Sequence, residues 1–89
     1  MNNKNNDRYF RLTSFYLAAF LFAKGMELVN IDKTNSRRSQ FVFLDTPERE
    51  MFMQNFNYAV EDFSEVMVDA RKLVMAIKTL KEKLYQEEF

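Results

Sequence analysis

The chain of 89 residues contains no cysteine and no histidine. Without thiols there is no disulfide framework and no thiolate chemistry, which fits a cytoplasmic compartment. Without either residue type, neither a Ser-His-Asp nor a Cys-His nucleophile system can be assembled, and imidazole or thiolate metal sites are excluded. Glycine and proline occur once each. A phosphate-cradling loop needs several glycines and their amides, so the single Gly25 points elsewhere. Its place directly after Lys24 reads as a left-handed helix stop. Long hydrophobic runs are missing too. The longest, Phe15 to Ala23, falls well short of the roughly 20 residues that span a bilayer. The opening MNNKNNDRYF has neither the apolar stretch nor the small-residue cleavage site of a secretory signal. A soluble, cytoplasmic protein with no membrane partner is expected.

An excess of charge of one sign is also absent, with 13 Lys+Arg against 13 Asp+Glu. Proteins devoted to a polyanion are usually basic overall. The distribution is uneven, however. Residues 1–44 hold seven basic and three acidic residues, or +4; residues 45–69 hold one and seven, or −6; residues 70–89 hold five and three, or +2.

Aromatic rings are plentiful, with ten Phe and four Tyr in a chain that is 47% apolar. Each buried ring removes about 150–250 Å² from water, so few of them hold a small domain. Six Met residues among them suit an adaptable core or a protein-binding face. The length allows one domain. Residues 1–8 read as a flexible, Asn-rich tail and 9–86 as a single globular domain.

Within that domain, "TSFYLAAFLFAKG" is a helix capped by Thr13 or Ser14 and stopped at Gly25. Apolar residues on nearly every side place it at the centre of the fold. "MELVNI" and "QFVFL" alternate as strands do, and the polar "DKTNSRRS" between them suits an antiparallel hairpin connection. In "DTPERE", Thr46 is the expected cap of a second helix, with Pro47 at its first position and Glu48 and Glu50 favouring the positive end of the helix dipole. "VEDFSEVM" has no clean period and reads as a linker or irregular turn. Asp69 caps a last helix whose Leu73, Ile77, Leu80 and Leu84 form one stripe. The fold class is α+β, ordered helix-strand-strand-helix-helix, with a two-stranded hairpin packed on helices.

The stretches "FLFAKGMELVNID", "RRSQFVFLDTPE" and "VDARKLVMAIKTLKEKLY" resemble, in the same order, a family of short uncharacterised proteins found in phage and prokaryotic genomes. The resemblance runs from about Leu12 to Gln86. It implies the same architecture and an origin in phage or another mobile element, and carries no biochemistry with it.

Carboxylates alone can support catalysis, but Glu48 and Glu50 point different ways on a helix. Glu61 and Glu65 share a face only if their segment is helical. No calcium-loop pattern with its glycine is present. No enzyme, metal site, cofactor or small-molecule ligand is expected. Phe15, Tyr16, Phe20 and Phe22 read as core. Tyr9 and Phe10, between Arg8 and Arg11, read either as a hydrophobic staple onto the first helix or as rings that stack bases. In the last helix, Arg71 and Lys78 are read near one edge of the apolar stripe, and Lys72 and Lys83 near the other. Such a placement suits snorkelling side chains around a packed helix.

Arg37 and Arg38 fall at the hairpin tip beside Lys33, Thr34, Asn35, Ser36 and Ser39. Two readings stand: a solvated edge hairpin kept soluble by charge, or a clasp for a phosphate backbone. The functional expectation is a non-enzymatic accessory module that contacts nucleic acid or a nucleoprotein through Arg8, Arg11, Lys33, Arg37 and Arg38. The alternative is a protein-interaction module, such as a homodimer meeting through an apolar helix face or a sheet edge.

Overall fold

The computed structural model describes residues 8–35 and 37–86. The tail expected over the first eight residues lies outside that range except for Arg8, as does Ser36. Among the described residues the order is β1 (Tyr9–Leu12), α1 (Phe15–Ala23), β2 (Leu28–Asp32), β3 (Gln40–Leu44), α2 (Arg49–Tyr58), a 3-10 turn (Ser64–Val66) and α3 (Ala70–Tyr85). The α+β class holds, and the sheet gains a strand that the alternation of the two central segments did not reveal. It has three antiparallel strands in the order β1-β3-β2. Tyr9 and Phe10 are therefore part of a strand and not a staple onto the first helix.

β3 can sit in the middle because Phe41, Val42 and Phe43 are all buried, as a strand paired on both edges requires. Phe41 and Phe43 face the helices. Register then puts Phe10 and Leu12 of β1, and Leu28 and Ile31 of β2, beside them. Leu28 and Ile31 share this face although three residues apart, because a bulge at Val29 shifts the register between Leu28 and Asn30. The strict alternation expected through "MELVNI" is thus broken, and Met26 belongs to the helix stop instead. On the opposite face Arg11 of β1 reaches Asp32 and Gln40 at 3.0 and 3.1 Å.

α1 fills the centre of the molecule. Leu17 to Leu21 are buried without interruption, and Phe15 and Phe22 set their rings against Phe41 and Phe43, 5.9 and 6.5 Å between centroids. Ser14, not Thr13, caps it by accepting from the Leu17 amide. Its end is a Schellman motif: Met26 N donates to Leu21 O and Gly25 N to Phe22 O, with Gly25 at φ +106°. Met26 then closes over the core beside Leu21. α3 packs along α1 through Ala76 and Leu80, with Leu73, Ile77 and Leu84 partly buried around them.

The start of α2 differs from expectation. The helix begins at Arg49, after a turn closed by Arg49 N to Thr46 O at 3.2 Å. The Thr46 hydroxyl caps nothing; it is buried with no hydrogen-bond partner. Asp45 accepts from Thr46 N at 2.9 Å and from the Arg49 guanidinium at 3.1 Å through each oxygen, and no side chain caps the helix. The tight turn at Pro47 and Glu48 delays the first four-residue helical bond to Phe52 N and Glu48 O.

Candidate functional site

The β2–β3 connection is folded by two side-chain turns. Asp32 Oδ1 accepts from Thr34 N at 2.9 Å, and Asn35 Oδ1 accepts from Arg37 N at 3.0 Å. Arg38 N then closes on Asn35 O at 3.0 Å. Aspartate and asparagine suit these positions because their short side chains mimic a backbone turn. Hydrogen bonds from the Thr34 side chain and amide, and then from Arg11, hold the Asp32 carboxyl down at about 2.

The loop is tied to the end of α3 by Lys33 Nζ, which donates to Gln86 O at 2.8 Å. Between loop and helix runs a groove of about 560 Å³. Lys33, Arg37 and Arg38 line it from the loop, Phe15 from the start of α1, and Leu84 and Tyr85 from the end of α3. The Tyr85 side chain is 77% exposed. Phe15 is held by edge-on contacts with Tyr16 and Phe41. The groove thus combines cations with rings, one free to present its face and one held in place.

Only three of the five expected phosphate-contacting residues meet here. Arg11 is turned onto the sheet face away from the helices, bound to Asp32 and Gln40. Arg8 sits beyond the other end of β1, where its carbonyl accepts from Asp45 N at 2.7 Å and its guanidinium lies 5.7 Å from the Tyr9 ring. The four residues of β1, roughly 13 Å of extended chain, separate Arg8 from Thr13 at the groove's rim. Phe15, Leu84 and Tyr85 were not among the expected site residues. Tyr85 carries one legible signal, since it follows Leu84 and so falls off the stripe that faces the core.

Two of the cations of α3 also sit differently from expectation. The Arg71 side chain is 91% exposed, and Lys78, seven residues on, shares the outer face opposite Leu73 and Leu80. They do not snorkel at the edges of the stripe. Among the described residues no three His, Cys, Asp or Glu side chains gather as ligands for a metal ion, and no helix is long and apolar enough to cross a membrane.

Comparison with curated proteins and with solved structures returned no match. One family covers nearly all of the chain, over residues 7–86, and is described as a domain of unknown function, DUF5659. Its span takes in the whole sheet and all three helices described above, so the unit that folds here is the unit the family shares, and the chain belongs to the DUF5659 family.

Proposed function

We propose that the chain is a small accessory binding module that takes single-stranded nucleic acid in the groove between the β2–β3 connection and the end of α3. The observation that carries this reading is the meeting of Arg37 and Arg38 with the exposed Tyr85 ring in one groove. Arginines hold phosphates, and an exposed ring stacks a base whose face is free, as it is in a single strand. The zero net charge makes this a local site rather than a generally polyanion-seeking surface. A cytoplasmic accessory role in a phage or other mobile element, without catalysis or cofactor, suits such a module.

The test is titration with a labelled oligonucleotide at rising salt. Each phosphate contact on a single strand contributes about 0.7 to the slope of log K against log salt, so replacing Arg37 and Arg38 together by Gln should lower the slope by about 1.4. Tyr85→Ala should cost about 1–3 kcal/mol of binding at every salt concentration. A wild-type protein that ignores oligonucleotides at low ionic strength removes the proposal.

The second reading, a protein-interaction module, rests on a different observation. α2 buries none of its residues fully, yet Met51, Phe56 and Tyr58 are exposed on it, followed by Val60, Phe63 and Met67. Large apolar side chains left exposed along one stretch of chain favour an interaction site.

A further inference from the structure

The segment after α2 and the start of α3 complement each other in shape and charge. After α2 the chain turns sharply at Asp62, whose φ of 65° is uncommon for a residue with a side chain. The turn carries Phe63, 41% exposed, between the exposed carboxylates of Glu61, Asp62 and Glu65. It is fastened to the end of α1 by Lys24 Nζ, which donates to Glu65 O at 3.2 Å. At the same end of α1, a second groove of about 650 Å³ opens between Phe22, Ala23 and Gly25 and the first turns of α3. Its α3 side presents Met75 with Arg71 and Lys72, two cations against the single carboxylate of Asp69. Arg71 is only loosely held by Asp69, at 3.4 Å.

We infer that this groove receives the Phe63 turn of a second copy of the chain. The Phe63 ring would enter against Met75 and Phe22, and Glu61 and Glu65 would meet Arg71 and Lys72. Charge complementarity selects the partner, because the acidic turn and the basic-rimmed groove are both surfaces of this chain. Adjacent Lys24 and Gly25 belong one to each surface, so a two-fold axis near the end of α1 lets each copy fill the other and closes the assembly at two. The alternative of pairing sheet edges is less favourable, since β2 carries a bulge and β1 has four residues. This inference rests on the interaction-module reading and not on the nucleic-acid one. Tyr85 lies 14 residues beyond Arg71 along α3, about 21 Å at helical rise, so both oligonucleotide grooves stay open in the dimer.

Sedimentation equilibrium of the full chain, from micromolar to submillimolar concentration, is the test. The expected result is a monomer–dimer equilibrium ending at twice 10.7 kDa. Phe63→Ala and Met75→Glu should each weaken it about tenfold or more, as loss of a central anchor does, with thermal melts confirming that both variants fold. Rising salt should weaken the wild-type dimer. Mixing the two variants should restore part of the association, because Phe63 of the Met75→Glu chain still finds the intact groove of the Phe63→Ala chain. A strictly monomeric wild type overturns the inference and leaves the groove to a different acidic segment. A dimer indifferent to both substitutions, or growth beyond two copies, overturns it equally. Oligonucleotide titration of the same variants separates this outcome from the fate of the nucleic-acid reading.

Discussion

The guanidinium of Arg49 lies over the ring of Phe10, its central carbon 4.0 Å from the ring centroid. Two of its nitrogens hold Asp45 at 3.1 Å each. This stack joins the start of α2 to the first strand of the sheet. A planar guanidinium can pair with a carboxylate in its plane and cover a ring with its face, which an ammonium cannot do. In a double-mutant cycle of Arg49→Ala and Phe10→Leu, a coupling energy of about 0.5–2 kcal/mol is expected from thermal or urea unfolding. Arg49→Lys should recover little of it. Additive losses would show that the stack holds nothing.

Acid should weaken the fold through two carboxylates. The hydrogen bonds from Arg49 hold Asp45 below the ordinary aspartate range, and Asp32 is held at about 2. Both values are depressed in the folded state. Their contributions are therefore complete above the ordinary value of 3.8 and are lost as pH falls below it, down to about 2 for Asp32. Urea midpoints followed from neutral pH to pH 2 should fall more steeply for wild type than for Asp32→Asn or Asp45→Asn. Parallel curves would remove these two groups as the source.

Gly25 supplies a clean test of backbone conformation. A Cβ built there meets nothing within 4 Å, yet φ is +106°. Space is free and the torsion is not. Gly25→Ala should cost about 1–2 kcal/mol, and Gly25→Val more, because a β-branched side chain tolerates positive φ least. Equal stability of all three proteins in a thermal melt would refute the assignment.

Core and surface should separate sharply. Leu80 is completely buried between α3 and α1, and Leu80→Ala should cost about 3–5 kcal/mol. Phe20→Ala, at the centre of α1, should cost a similar amount. Met51→Ala on the outer side of α2 should stay within about 0.5 kcal/mol. In hydrogen exchange the amides of α2 should open before those of α1, since α2 has no fully buried residue. Slower exchange in α2 would mean that its exposed side chains are covered in solution.

The two outlying arginines distinguish the groove from a diffuse basic half. Arg11 is committed to Asp32 and Gln40, so Arg11→Gln should leave the salt slope of oligonucleotide binding within about 0.3 of wild type, well under one phosphate contact. A fall comparable to that of the Arg37 and Arg38 variants would spread the interface over both faces of the sheet.

Elements whose chemistry is local were legible in the sequence. Ser14 and Asp69 cap, Gly25 stops α1, Leu73 to Leu84 form a stripe, and the two central strands flank a polar connection. Each depends on residues within a few positions of one another, through rotamers, side-chain turns and helical or pleated spacing. What depended on distant partners was not legible. "RYFRL" becomes a strand because β3 has a second open edge and because Arg49 covers Phe10. The same is true of the candidate site. The sequence by itself placed Lys33, Arg37 and Arg38 on one polar connection, since they are neighbours along the chain. Only the tertiary structure brought Tyr85 to them and turned Arg11 away, because those placements depend on α3 ending beside the loop and on sheet register, which are set by packing between residues many positions apart.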